Sequence, residues 1–365
     1  MATTFKTLLN NDVASTRTLL HEAVPITGTI VSGTYSDSNI KNFSHGMFQS
    51  VYDYPYLSSS ANHIFDITMG YSSNAGLSSS AATQNSKKIN IYNQMAQVLM
   101  GHDADGNIRE FDRDGDLLGT TTDSMRECFF LNFARLLVKD EIKKGSFQLT
   151  VATASAYSHG FDNAGELTLY DTNAENEYRS NSPAGEYGLL YTASTFTTGD
   201  HTAQAVGQVF YQAGVVVLTS SLFGANPDDD DSEVEVSNYW GSKEGDDNDT
   251  FSTIKKAMFS GSISGSCDGL RNRIKNIQFN NTTELNSTIY FCRANHNEFN
   301  YSANPTYVTG SKMRVKNVTS DSPVSYITTV GLYSADNELL AVAKLSEPLK
   351  KTPENEITLR VRLDY

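Results

Sequence analysis

Residues 325–365 read SYITTVGLYSADNELLAVAKLSEPLKKTPENEITLRVRLDY, and the pattern of this stretch decides the fold class. Tyr326 to Tyr333 is rich in β-branched and aromatic residues, the composition of a strand. Ser334 to Glu338 is a polar turn whose Asp336 and Asn337 tolerate left-handed backbone angles. Leu339 to Leu345 runs back as a second strand, Pro348 to Asn355 forms a linker, and Glu356 to Tyr365 is a third strand. In that last strand Ile357, Leu359, Val361 and Leu363 share one face and Thr358, Arg360, Arg362 and Asp364 the other. The apolar row is expected to be buried, because a strand that runs to the last residue is normally tied into a sheet. Arg360 and Arg362 then mark either a solvated edge or a contact with an acidic neighbour such as an adjacent copy, and both are interface candidates.

The same residues carry a family resemblance. ITTVGLYSADNELLAVAKLSEPLKKTP, with STIYFCRANHNEFNYSANPTYVTGSKMRVKN before it, resembles virion structural proteins of tailed bacteriophages. The likeness is to the contractile-tailed, T4-like myovirus type of marine bacteria and cyanobacteria. The VGLYSADNELLAVAK hairpin is also loosely similar to hairpins of tail-collar and baseplate-attached fibre proteins. QVFYQAGVVVLTSS and ECFFLNFARLLVKDEIKKGSF extend the resemblance over much of the chain. It implies a structural place in a particle and brings no catalytic motif with it.

Composition fits that expectation. The 365 residues suffice for two or three cores, and only 19% are charged while aromatics are plentiful. Such a profile suits β surfaces bridged by hydroxyls and amides. The net charge of −14 argues against direct binding of nucleic acid, which needs Lys and Arg against phosphates. No apolar run approaches the roughly 20 residues of a membrane span, and the first residues lack a leader pattern. The expected site of synthesis is therefore the host cytoplasm, with assembly there into a virion. Three distant cysteines, Cys128, Cys267 and Cys292, imply no disulfide framework and read as buried thiols.

Working back through the chain, the reading is mainly β with one long helix, an α+β chain of β-sandwich-like domains. The first domain, 1–122, is β-rich with a docking arm and a short helix. Its strands are expected at Pro25 to Tyr35 and His63 to Tyr71, and its helix at Ile91 to Met100 with Gly101 as C-cap. Between them, Ser72 to Ser86 is low in complexity and is expected to be a mobile loop. The second domain, 123–270, opens with the long helix, Met125 to Lys144, and continues into strands. Those strands include a continuous apolar one from Val209 to Leu218. An acidic insert, 227–249, is expected to be solvated, with Trp240 anchoring its end. The third domain, 271–365, is the C-terminal β-sandwich-like part.

Candidate sites are few. Asp103, Asp105, Asp112, Asp114 and Asp116 alternate with glycines as calcium loops do. The EF-hand loop, however, needs its glycine at position 6 and a Glu at position 12. Here both glycines stand at position 4 and no Glu lies twelfth from Asp103, so two Asp-Gly turns around a short strand are the favoured reading. Tyr52, Tyr54 and Tyr56 are spaced to share one strand face, and sugars stack on such rings, although Pro55 confines the run to an edge or loop. No two histidines have metal spacing, and no GxSxG, GxxxxGK[ST], HExxH or CxxC is present. The expectation is a non-enzymatic component of the tail, baseplate or neck that needs no cofactor. It would act as a homo-oligomer in contact with other virion proteins, touching neither membrane nor nucleic acid directly. A receptor- or carbohydrate-binding tail module and a capsid decoration protein are the alternatives.

Overall fold

The computed structural model describes residues 5–25, 37–117, 123–153, 166–192, 205–223, 254–300, 308–309, 312–313 and 324–365. The acidic insert 227–249 with Trp240, and the β-segment expected over 26–35, lie outside these residues. The chain is mainly β, with several antiparallel sheets and few helices. It divides into two compact units, one of Leu20–Thr283 and one made of Met1–Leu19 with Glu284–Tyr365. The boundary expected after residue 122 coincides with neither. His63–Tyr71 and Glu127–Phe133, from its two sides, are hydrogen-bonded neighbours in the larger unit.

That larger unit is built on an eight-stranded antiparallel sheet. Its order is Arg179–Ser182, Gly185–Leu190, Gly207–Phe210, Val215–Thr219, Glu127–Phe133, His63–Tyr71, Gln49–Tyr52, Ile40–Asn42. The central strand corrects the sequence reading, because Met125 to Lys144 is not a long helix. Glu127–Phe133 is a strand, and only Arg135–Val138 turns as helix. The run ECFFLNF is apolar on both faces, as a strand covered on both sides must be, and over seven residues periodicity cannot separate that from a helix. Pairing decides it: Phe130 stands opposite Val217 on one side and Thr68 on the other.

The continuous strand expected from Val209 to Leu218 is instead a hairpin. Gly207–Phe210 and Val215–Thr219 pair around Tyr211 to Gly214, with Gly214 at φ +67°. A Cβ there would lie 2.8 Å from a Val138 methyl, so the turn needs glycine for both backbone and space.

The longest helix among the described residues is Asn85–Leu99, ended by Gly101 at φ +76° as the sequence suggested. It buries Lys88, Ile91, Tyr92, Ala96 and Leu99. Gly70 of the neighbouring strand lets the two backbones meet, since a Cβ there would fall 2.6 Å from Lys88 O. The buried Lys88 Nζ donates to Met258 O at 2.5 Å and Gly261 O at 2.9 Å, satisfying carbonyls at the end of helix Ile254–Ser260. Of residues 72–86, expected as a mobile loop, 72–84 form successive turns closed by backbone hydrogen bonds, among them Ala75 N to Ser72 O and Ala82 N to Ser79 O, and Asn85 and Ser86 begin the helix. The serines of those turns fold the chain locally, Ser72 Oγ accepting from Asn74 N and Ser79 Oγ from Ala81 N.

A second sheet in this unit pairs Gln148–Ala152 with Glu166–Tyr170 and with the first residues of the long strand Ile274–Ala294. Phe133 of the first sheet meets Phe279 at 5.2 Å and Phe147 at 6.1 Å between ring centroids. The hydrophobic core of the molecule is continuous from Ile40 to Phe279.

The smaller unit has the strands the opening stretch predicts. Ser325–Tyr333 pairs with Leu339–Lys351, the second running past Pro348 and shortening the expected linker. Ser334 Oγ accepts from Asp336 N and Glu338 N, and Asn337 takes φ +64°, which fixes the turn. Ile357–Asp364 pairs with Ser287–Ala294, Val361 opposite Tyr290. The alternation is as expected, but the burial is not. Ile357, Leu359, Val361 and Leu363 are only half-buried while Thr358, Arg360, Arg362 and Asp364 are exposed. Among the described residues of this unit the only buried hydrophobic side chain is Ala294.

Candidate functional site

The five aspartates separate into two places. Asp103 closes a tight turn, its carboxylate accepting from Asp105 N at 3.0 Å and Asn107 N at 2.8 Å. Those bonds hold it below the usual carboxylate range. Asp105 lies within that turn and outside the second cluster. The second begins at Phe111–Asp112, which pairs with Ser124–Met125. Phe111 is buried edge-on against Tyr92 at 5.5 Å, and Gln208 Nε2 donates to Asp112 O at 2.5 Å, so the backbone of Asp112 is pinned.

From that anchor the chain doubles back. Gly115 and Leu117 take φ +70° and +64°, Leu117 N donates to Asp112 Oδ2 at 2.8 Å and Asp116 N to Asp114 Oδ1 at 3.1 Å. Oxygens of Asp112, Asp114 and Asp116 come within 4.8 Å of one another. Burial, with Asp114 and Asp116 adding to it, pushes the Asp112 carboxyl up to about 7.

The sequence reading missed one signal, which appears on counting from Asp112 rather than Asp103. The sixth residue is then Leu117, in the left-handed conformation that glycine supplies in a calcium loop, and the twelfth is Asp123. Residues 118–122, which would carry the seventh and ninth positions, lie outside the described residues. The three clustered carboxylates supply about half of the six to eight oxygens that calcium takes. Chemically the group is a hard-oxygen acidic cluster.

A concave surface of about 810 Å³ adjoins it, lined by Asn93, Asn107, Glu110 and Arg126 among others. Glu110 accepts from Ser72 Oγ, from Arg126 Nε at 3.0 Å and from Asn74 Nδ2 at 3.0 Å. Against the desolvation it suffers, these bonds hold its carboxyl below the usual range. A carboxylate so satisfied is a weaker base than a free one.

The tyrosines do not form one strand face. Tyr52 ends its strand, while Tyr54 and Tyr56 lie in the following loop, both exposed beside Leu57. Asp53 ties the loop shut through Asn62 N at 2.6 Å and Asn62 Nδ2 at 2.8 Å. Tyr52 and Tyr56 remain 6.4 Å apart between ring centroids. Pro55, which cannot donate to a ladder, ends the pairing.

In the smaller unit Arg362 is engaged, Nε with Asp364 Oδ1 at 2.6 Å and a terminal nitrogen with Ser287 Oγ at 2.9 Å. Arg360 is exposed and makes no side-chain hydrogen bond among the described residues. The neighbouring hairpin leaves Tyr326, Tyr333, Leu339, Leu340 and Val342 exposed, Leu340 at 68%. Tyr333 covers Gly331, where a Cβ would lie 2.9 Å from its ring, and meets Phe5 edge-on at 5.0 Å.

The three thiols are held in the protonated form. Burial pushes Cys128 and Cys267 far up and raises the half-buried Cys292 as well, the opposite of what a nucleophile needs. Among the described residues no helix is long and apolar enough to cross a membrane. Comparison of the chain with protein-family models, with curated proteins and with solved structures gives no match.

Proposed function

We propose that this chain is a non-enzymatic structural component of a tailed-phage virion, in its tail, baseplate or neck, working through oligomeric protein–protein contacts. One observation carries the reading: a unit with a full core is joined to a β unit whose described residues leave their apolar rows half-buried or exposed. A strand unit without a closed core is stable only when another surface completes it. The chain is thus a folded body bearing an assembly part, which is what a particle component requires. The resemblance of the C-terminal hairpin to virion proteins supports the same assignment.

Purified particles provide the test. Peptide mass spectrometry of gradient-banded phage should find the chain in fixed ratio to the other tail proteins, and a reconstruction should place it outside the capsid shell. Absence from infectious particles, or hydrolysis of peptidoglycan by the purified protein at an enzyme's rate, would overturn the assignment.

A further inference from the structure

We infer that the surface completing the smaller unit is the same unit of a second copy of this chain, packed face to face on the hairpin Ser325–Tyr333/Leu339–Lys351. The inference rests on reading that unit as the assembling part, and it names the partner.

The need for a partner comes from burial. The unit holds about one hundred residues, enough for a small β core of its own. Yet no Val, Ile, Leu, Met or Phe among its described residues is buried. On the hairpin, Tyr333 stands opposite Leu339 and Gly331 opposite Val342. This face exposes Tyr333, Leu339 and Val342, the last at 52%. The other face carries Val330, Leu332, Ala341 and Ala343, each half-buried. An apolar face of this kind on a free monomer is a liability for solubility.

Charge selects the partner. Met1–Leu19 with Glu284–Tyr365 holds eleven Lys and Arg against ten Asp and Glu, while the rest of the chain holds seventeen against thirty-two. Contact between identical surfaces brings every charge against its own kind unless the surface contains both signs. The hairpin does: Lys344, opposite Thr329, shares a face with Val342, and Asp336 and Glu338 sit at the adjoining turn. The larger unit, about fifteen negative charges in excess, would repel its own copy. Nor does the near-neutral unit offer the excess of base that a polyanion needs. The strand Leu339–Lys351 carries Pro348 and Lys350, devices that oppose pairing along its edge.

The experiment is sedimentation equilibrium on the full chain at tens of micromolar, the wild type expected at a multiple of 40.1 kDa. Leu339→Glu with Val342→Glu should fall to 40.1 kDa with an unchanged far-ultraviolet spectrum. The milder Val342→Ser, which adds no charge and keeps the strand, should raise the dissociation constant by about tenfold. Leu136→Glu, at a site 78% exposed in the larger unit, should leave the mass untouched. A 40.1 kDa wild type, or a multimer indifferent to both hairpin variants, would overturn the inference. A multimer absent from phage particles would instead sink the virion assignment alone, and a monomer present in them would sink only the self-association.

Discussion

Asp171 shows how one buried residue sets conditions for the whole larger unit. It is fully buried, and its carboxylate accepts from Phe147 N at 2.8 Å, Gly145 N at 3.0 Å and Tyr211 Oη at 3.1 Å. Desolvation outweighs those bonds and pushes the carboxyl up to about 7. A carboxyl raised on folding contributes stability that is complete below its unfolded value near 3.8 and is lost as pH rises through 7. From pH 4 to pH 8 the wild type should lose up to about 4 kcal/mol relative to Asp171→Asn. Because Asp112 moves in the same direction and Glu110 in the other, the test is the difference between the two proteins in urea titrations. A difference constant across that range would show that Asp171 does not titrate as its burial requires.

The elements differ in how openly the sequence declares them. Gly70 belongs to the strand His63–Tyr71, which an alternating apolar pattern marks clearly, yet its own role is visible only in space. An added methyl would press on Lys88 O at 2.6 Å and Tyr92 N at 2.8 Å, both backbone atoms of the packed helix. Neither can yield as a side-chain tip could, so Gly70→Ala should cost about 1–3 kcal/mol, read as a lower urea midpoint at unchanged slope. An unshifted midpoint would mean that helix and strand can move apart freely.

The hairpin, the C-terminal strand and the helix ending at Gly101 were legible because period, turn residues and cap agree locally. Glu127–Phe133 was not, because a strand buried on both faces loses the alternation that would identify it. The turn at Gly214 hid inside an apolar run for the same reason. At the acidic cluster the residue types were legible in advance, while the convergence of Asp112, Asp114 and Asp116 depends on left-handed Gly115 and Leu117. Leucine is a residue from which that conformation is not expected.

At the scale of the molecule, the two units should differ in what their stability depends on. The larger unit buries its own aromatic and aliphatic side chains, so its unfolding is a property of a single chain. The smaller one, on the inference above, borrows its burial from a copy, and such stability follows mass action. Scanning calorimetry should therefore resolve two transitions. The smaller unit's should rise as protein concentration is raised about fiftyfold, and the larger unit's should stay fixed. Removal of Glu356–Tyr365 sharpens the test. The strand Ile357–Asp364 is half-buried and pairs only with Ser287–Ala294 among the described residues. Its loss takes away a strand of the smaller unit's own sheet, while the core around Phe130 and Val217 is built from residues of the larger unit. The truncated chain should thus lose the concentration-dependent transition and keep the other at its original temperature. A single transition, insensitive to concentration and shifted as a whole by the truncation, would show that the chain unfolds as one body and that its C-terminal strand supports the larger core directly.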